Sequence, residues 1–278
     1  MGKEKDTTKA SGKRDPFPVR IKRICFTLLK VFILLPGVCL SVWLGYRLHY
    51  FLFESPFFHL RRVEILGVSE ELSIKILEQI NMDNLELHYY NLLKLRLGPL
   101  RDRIQTMPTL RTVSVYKDYP SVLRILVQPR RGVILIAGKG LFLADSEGMV
   151  MEKLRPEKMK DYCFPVVTGL QEEEIAPGKT IGEEAFFKAL DIQAALLRHS
   201  YELYDQLSEF NLNARGDITA IFNGGTEIRF GRKNPLDKLP DLDAFMTKYA
   251  PLKKNLSAFR YVDLRFHKQI VYALRDTP

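Results

Sequence analysis

The residue types that carry most enzyme chemistry are present in this chain, but they do not form a recognisable catalytic set. No G-x-S-x-G segment that would expose a nucleophilic serine occurs. The cysteines form no C-x-x-C pair. The five histidines are spread along the chain without the H-E-x-x-H spacing of a zinc site: His49, His59, His88, His199 and His267. We therefore expect no catalytic residue, no metal, no cofactor and no small-molecule substrate, and hence a protein that is not an enzyme.

Two segments imitate catalytic or nucleotide-binding motifs. Residues 176–180, APGKT, end like a phosphate-binding loop, but the pattern G-x-x-x-x-G-K-[ST] requires a glycine where this chain has Glu173. The neighbouring carboxylates, Glu172 and Glu174, would also repel phosphate. Three consecutive acids on a polar loop do not converge on one substrate as paired catalytic carboxylates must. We therefore expect a turn at 176–180 and a solvated acidic run before it.

The strongest feature of the chain is the apolar run Ile24–Tyr46, which spans 23 residues and carries one charge, Lys30. A helix of about 20 apolar residues crosses the hydrocarbon core of a bilayer, and membrane helices tolerate a pair such as Pro36-Gly37. A cleaved signal peptide would have a shorter apolar core and small residues after it, and a buried core helix would rarely avoid charge for so long. The run ends in residues typical of an interfacial aromatic belt, Trp43, Tyr46, Tyr50, Phe51 and Phe53.

Charge distribution predicts the orientation of this helix. Residues 1–23 hold eight Lys or Arg and three acids, whereas the segment after the helix up to residue 62 has only Arg47, Arg61 and Arg62. The positive-inside rule places the N-terminus in the cytoplasm and the rest of the chain outside. Six of the nine net positive charges fall on residues 1–30, so the remainder is nearly balanced and nucleic-acid binding is not expected. Residues 1–23 are predicted to be a disordered basic tail.

The exported part contains one thiol, because Cys25 and Cys39 lie inside the membrane run. An intrachain disulfide in the exported part is therefore excluded. Cys163 lies between Tyr162 and Phe164, and we expect it to be a small packed residue.

The part after the membrane run begins with a β-α-α-β-β pattern. A strand is predicted near 60–68, followed by a helix with apolar residues at four-residue spacing, Leu72, Ile76 and Ile80. A second helix follows, with its apolar residues at Leu97, Leu100, Ile104 and Met107. Asn81–Leu95 between the helices is predicted to be irregular. Two strands with period-two alternation then complete the unit, through Val113 and Val115 and through Leu123, Ile125 and Val127.

This layout resembles a POTRA domain, and the residue pattern resembles the bacterial cell-division family FtsQ (DivIB). The shared residues begin with Met107-Pro108-Thr109-Leu110, Val113, Val115, Lys117, Pro120 and Leu123–Val127. Where the family continues Glu-Arg-x-Pro, this chain has Pro129-Arg130-Arg131-Gly132. Further similarity follows at Leu141–Val150, Phe164–Gly169, Gly231, Lys238-Leu239 and Tyr261–Phe266.

From Gly132 onwards the sequence is rich in predicted strands. Helices are predicted at 185–203, with Leu190, Ala194, Leu197 and Tyr201 on one stripe, and near 241–249. Asn223-Gly224-Gly225 predicts a hairpin turn. The terminal strand region Val262 to Leu274 alternates, with Phe266, Lys268, Ile270 and Tyr272 on one face and Arg265, His267, Gln269 and Val271 on the other.

The expected fold class is α+β, with a single transmembrane helix, a small β-α-α-β-β POTRA domain and a larger mixed β-rich domain with two or more helices. The expected segments are a tail at 1–23, a transmembrane helix at 24–54, a POTRA domain at 57–129 and a β-rich domain at 130–275.

The resemblance implies a divisome scaffold in the inner membrane that binds FtsB and FtsL on the periplasmic side, and through them the septal peptidoglycan synthases. It implies that the last strand region contacts the C-terminal part of FtsB, and by match to the family the partner-binding residues would be Phe266, Lys268, Gln269, Val271 and Leu274. One alternative is that these strands are an internal pair of the sheet. Two other classes remain open, a POTRA-bearing chaperone of outer-membrane or secretion assembly and a peptidoglycan-binding or lytic enzyme.

Overall fold

The structure is a computed structural model that describes residues 17–81, 90–171, 173, 175–249 and 256–275, and for residues 17–23 and 81 it gives the backbone alone. Most of the predicted basic tail lies outside the described residues. The same holds for residues 82–89 of the predicted irregular connection and for Glu172 and Glu174 of the acidic run.

The chain forms two compact units. One comprises Met1–Arg61, Leu87–Leu95 and Tyr119–Val122, and the other comprises Arg62–Glu86, Arg96–Asp118 and Leu123–Pro278. The first unit contains the long helix α1, Phe17–Phe53, of 37 residues. Within Ile24–Phe58 the mean hydropathy reaches 2.2, and none of this segment is buried inside the protein, unlike the core helix of a soluble domain. Helix α1 therefore fits a single-pass membrane protein.

A three-stranded sheet with two helices follows, in the predicted β-α-α-β-β order. Its elements are β1 Arg62–Leu66, α2 Glu70–Asn81, α3 Leu97–Gln105, β2 Leu110–Asp118 and β3 Val122–Pro129, and the strand order is β1-β3-β2. The predicted apolar stripes are buried, since Ile76, Ile80 and Ile104 are 0% exposed. Met107 differs from the prediction, because α3 ends at Gln105 and Met107 lies in the turn that leads to β2.

The remaining strands form one mixed sheet of nine strands. The nine strands are β4 Gly132–Gly138, β5 Gly140–Asp145, β6 Val150–Lys153, β7 Val166–Thr168, β8 Leu207–Leu212, β9 Ile218–Phe222, β10 Thr226–Gly231, β11 Phe259–Asp263 and β12 Val271–Leu274. Helices α4 Glu184–His199 and α5 Tyr201–Tyr204 lie between β7 and β8 in the chain, and α6 Leu239–Lys248 lies between β10 and β11. The strand order is β12-β11-β10-β9-β8-β7-β4-β5-β6. Three pairs are parallel, β4 with β7, β7 with β8, and β10 with β11. The predicted α+β fold class is confirmed.

The main core lies between the nine-stranded sheet and helices α4 and α6. Five phenylalanines in it are almost fully buried, Phe186, Phe210, Phe222, Phe230 and Phe259. A smaller cluster of Leu135, Leu143, Met151 and Leu154 occupies the opposite face of strands β4–β6, as alternation along each strand requires.

The prediction for residues 185–203 is wrong in two respects. The helix divides at Ser200, whose ψ of 64° is not helical, into α4 and the single turn α5. Of the predicted stripe, Leu190 packs against the main core, but Leu197 and Tyr201 are 47% and 65% exposed, whereas Phe186, Ile192 and Leu196 are buried. Apolar residues occupy adjacent positions along α4, so periodicity favours two neighbouring stripes almost equally. Cys163, predicted to be packed, is exposed.

A partly buried ion-pair cluster joins the end of β3 to the turn that follows β5. The Arg130 guanidinium donates to Asp145 Oδ2 at 2.6 Å and to Glu147 Oε2 at 2.9 Å. Its Nε also donates to the carbonyl oxygen of Leu110 at 3.2 Å. The side chains of Arg130 and Asp145 are only 13% and 7% exposed. Arg130 belongs to the segment in which this chain departs from the family pattern, yet it retains carboxylate partners.

We expect Asp145→Asn to lower the free energy of unfolding by about 3 kcal/mol, because loss of one partner leaves the charge of Arg130 poorly compensated in a buried site. Pulse proteolysis of the detergent-solubilised full chain in urea measures this change. The matched control is Glu147→Gln, whose side chain is 47% exposed and whose effect should stay below about 1 kcal/mol. Equal effects of the two variants would contradict this account of the cluster.

Candidate partner-binding surface

The nine-stranded sheet ends in a hairpin made by β11 and β12. The two strands are antiparallel, with Val262 opposite Tyr272 and Asp263 opposite Val271. Among the described residues, β12 has one neighbouring strand, β11. The N–H of Arg275 donates to the carbonyl oxygen of Ala258, so alternation along an antiparallel strand directs the backbone groups of Tyr272 and Leu274 away from β11.

The alternation predicted along the terminal strand region Val262 to Leu274 is interrupted. Strand β11 stops at Asp263, and residues 264–270 form a connection in which Lys268 has a φ of +55°. The Asp263 carboxylate accepts a hydrogen bond from the N–H of Arg265 at 3.1 Å, a local bond that competes with continuation of a strand. Period-two alternation therefore does not extend through residues 265–270.

Asp263 is a buried charge held by Arg265. The residue is 3% exposed, and the Arg265 guanidinium donates to its two carboxylate oxygens at 2.9 Å and 2.6 Å. Burial alone would raise the pKa of Asp263, but the hydrogen bonds from Arg265 and the nearby charge of Arg229 outweigh it and lower that pKa. Sequence reasoning noted this Asp-Leu-Arg run as a family likeness and missed its part in ending the strand. An acid followed two residues later by an arginine, after a β-rich run, was the available signal.

The five predicted partner-binding residues are all exposed, on the hairpin connection and on β12. Lys268 and Gln269 lie in the connection. Phe266 is 49% exposed, and on β12 Val271 and Leu274 are 41% and 55% exposed. Ile270 instead packs against the main core, so it anchors the end of the connection.

An aromatic cluster supports β12 from the side of helix α6. The ring of Tyr272 lies 5.5 Å from Phe245, 5.3 Å from Tyr249 and 5.8 Å from Phe259, measured between ring centroids. The hydroxyls of Tyr249 and Tyr272 are 2.9 Å apart, and this hydrogen bond raises the pKa of Tyr272. A strand of four residues that pairs with one neighbour is only marginally stable. Packing in this aromatic cluster therefore stabilises the position of β12.

The opposite edge of the sheet differs, because residues 178–181 pair with its start, at Met149 and Val150. The N–H of Val150 donates to the carbonyl oxygen of Lys179 at 2.9 Å, and the N–H of Gly178 donates to that of Val150 at 2.8 Å. Met149 and Thr180 form a further bridge. The segment that imitates a phosphate loop is thus a turn that pairs with the start of a strand edge, as expected for natural sheets.

A groove of about 610 Å³ lies beside the hairpin connection, and both signs of charge line it. Arg265 and His267 form one wall, and Lys238, Asp237 and Asp241 contribute from the start of α6 and the turn before it. Throughout the part of the chain that the structure describes, no group of three or more His, Cys, Asp or Glu could hold a metal ion. The surface therefore offers backbone groups, apolar side chains and mixed charge.

The fold combines one apolar helix that fits a single-pass membrane protein with an α+β body whose nine-stranded sheet ends at β12. Residues 134–265 match the family described as cell division protein FtsQ/DivIB, C-terminal. The cell division protein FtsQ of Myxococcus fulvus is 28% identical over 77% of this chain and 73% of its own length. That of Geotalea daltonii is 26% identical over 82% of this chain and 80% of its own length. The chain is therefore similar to the FtsQ/DivIB cell-division proteins, which are not a known enzyme family.

The lowered pKa of Asp263 predicts a pH dependence of stability. The stabilisation that its charge provides is complete above the unfolded-state value of about 3.9 and is lost as the pH falls through the lower folded-state pKa. Asp263→Asn should be less stable at pH 7 and should lose less stability than the wild type on acidification below pH 4. Thermal unfolding followed by circular dichroism measures both, with the exposed Asp102→Asn on α3 as control. Identical pH profiles for wild type and Asp263→Asn would contradict the assignment.

Proposed function

We propose that this protein is a divisome scaffold whose β12 edge accepts a strand of an FtsB-type partner on the periplasmic side of the inner membrane. The observation that carries the proposal is the difference between the two edges of the nine-stranded sheet. Residues 178–181 pair with Met149 and with Val150, the first residue of β6, whereas β12 has no second strand neighbour among the described residues.

The composition of β12 supports this assignment. Natural sheets protect an exposed edge with charge, proline, a bulge or a covering segment. The sequence of β12, VYAL, contains neither charge nor proline. Its Val271 and Leu274 are exposed apolar side chains, and so is Phe266 in the connection before it. An added strand would gain affinity from the backbone groups of Tyr272 and Leu274 and selectivity from these side chains. Lys268 and Gln269 would supply polar contacts at the rim.

Similarity to the FtsQ/DivIB proteins supports the biological setting of the proposal. The family likeness implies FtsB and FtsL as partners, and through them a link between early division proteins and the septal peptidoglycan synthases. We propose the same setting for this chain, concentrated at the division septum, with residues 57–129 and 130–275 acting as separate domains. A chaperone of outer-membrane assembly is less well supported, since the strand order of the described nine-stranded sheet runs from β12 to β6 without closing into a barrel.

The double variant Phe266→Asp plus Val271→Asp should abolish recovery of FtsB and FtsL when the full chain is purified from membranes. Two buried carboxylates at the apolar centre of the contact would cost several kcal/mol, a loss of about 100-fold or more in affinity. The matched control is Leu126→Asp on β3, which is also 49% exposed and should retain both partners. Unchanged recovery with the double variant would rule out this edge as the binding site.

The exposed Cys163 permits a test of the proposed orientation. A membrane-impermeant maleimide added to spheroplasts should label this thiol without lysis, because the C-terminal part lies outside the inner membrane. Cys163→Ser is the control, and it should abolish labelling because the other cysteines lie in α1. Labelling that requires lysis would place the C-terminal part in the cytoplasm.

A further inference from the structure

Two later segments of the chain lie together with the end of the membrane helix. Leu87–Leu95 and Tyr119–Val122 belong to the same compact unit as α1. The N–H of Leu60 donates to the carbonyl oxygen of Tyr90 at 3.0 Å, and that of Leu92 donates to Phe58 O at 2.7 Å. The N–H of Arg61 donates to the carbonyl oxygen of Ser121 at 2.9 Å. The described parts of these segments are therefore fixed to the residues that leave α1.

Asn91 ties the first of these segments to the helix end. Its side-chain amide donates to the carbonyl oxygens of Leu52 at 2.8 Å and Phe53 at 3.2 Å, the last two residues of α1. Its Oδ1 accepts a hydrogen bond from the N–H of Leu93 at 2.8 Å, and the residue is 5% exposed. The last carbonyls of a helix have no intrahelical partner, and leaving them unpaired near lipid is costly. The side-chain amide of Asn91 therefore supplies a hydrogen-bond donor to both of these carbonyl oxygens.

Each of the three segments carries exposed aromatic side chains. Phe51 and Phe57 are 48% and 49% exposed, and their ring centroids lie 5.8 Å apart in a stacked arrangement. Tyr90 and Tyr119 are 45% and 55% exposed. The Lys94 ammonium lies 3.4 Å from the Glu54 carboxylate and 5.7 Å from the ring centroid of Phe53. Aromatic rings with adjacent cationic side chains are typical of the membrane–water interface.

We propose that this collar, formed by Phe51, Phe57, Tyr90, Lys94 and Tyr119, is embedded in the interfacial layer of the bilayer where α1 emerges. Lipid is the occupant because the collar is continuous with the apolar helix. Counted from Lys30, about 20 helical residues cross the hydrocarbon core and reach Tyr50, one residue before Phe51. The bilayer thus contacts the exported part of the chain as well as the helix, and fixes the depth of this unit. This inference depends on α1 crossing a bilayer and does not depend on partner binding at β12.

Quenching of tryptophan fluorescence by brominated lipid tests the collar. The full-length chain alone is placed in phosphatidylcholine nanodiscs, with its one natural tryptophan removed by Trp43→Phe. In that background, Phe57→Trp and Tyr90→Trp should each lose about half of their emission when the acyl chains are brominated near the glycerol, because interfacial side chains lie about 5–10 Å into this boundary.

The reference is free N-acetyltryptophanamide added to nanodiscs that carry the Trp43→Phe chain. The emission of this soluble fluorophore should change little with bromination and should remain open to acrylamide. Two separate collar positions allow for one variant that fails to fold. If both collar tryptophans are quenched no more than the soluble reference, lipid does not occupy the collar and the proposal is overturned. Loss of FtsB binding alone would leave the collar unaffected, so the two proposals fail separately.

Discussion

A β-strand presents backbone donors and acceptors along both of its sides, and each side must be paired, covered or left to water. This constraint distinguishes the two ends of the nine-stranded sheet. At one end, Gly178 and Lys179 pair with Val150 of β6. At the other end, β12 carries uncharged residues and pairs with β11 alone among the described strands. The two edges therefore differ, since the β6 edge is paired with its own chain at Val150 and β12 has β11 as its one strand neighbour among the described residues.

The available edge depends on the interior of the same sheet. Strand β11 joins by parallel pairing with β10, and the buried carboxylate of Asp263 then ends it through hydrogen bonds with Arg265. This termination allows the chain to reverse and to place β12 outermost. Packing of Tyr272 against Tyr249 and Phe245 keeps the short strand in position. A preformed edge lowers the ordering cost of binding, which supports the proposed role in partner binding.

Local patterns predicted the first part of the fold well. Alternation through Val113 and Val115 and helical spacing through Ile76 and Ile80 each place buried residues correctly, because one face of each element is apolar and the other polar. The same rules failed where the decisive contact is distant in sequence or the apolar pattern is ambiguous. Leu197 lies one position from the buried Leu196 on α4, and periodicity alone cannot choose between them.

The candidate site was predictable only in part. Resemblance to the family selected the terminal region, and the structure places the five chosen residues on its exposed hairpin. The break after Asp263 escaped prediction because β-propensity continues through the following residues while one side-chain hydrogen bond redirects the backbone. The pairing of residues 178–181 with the start of β6 was also not predicted, since no local signal in the sequence indicates which turn will lie against which strand edge. The aromatic support for Tyr272 joins residues from three elements.

The central claim is that the outward backbone groups of β12 pair with a partner strand. Hydrogen–deuterium exchange on the full chain in nanodiscs, with and without bound FtsB and FtsL, tests it most directly. The account predicts that the amides of Tyr272 and Leu274 exchange freely in the chain alone and become strongly protected in the complex. Unchanged exchange at these two amides, with protection appearing on another surface, would contradict it.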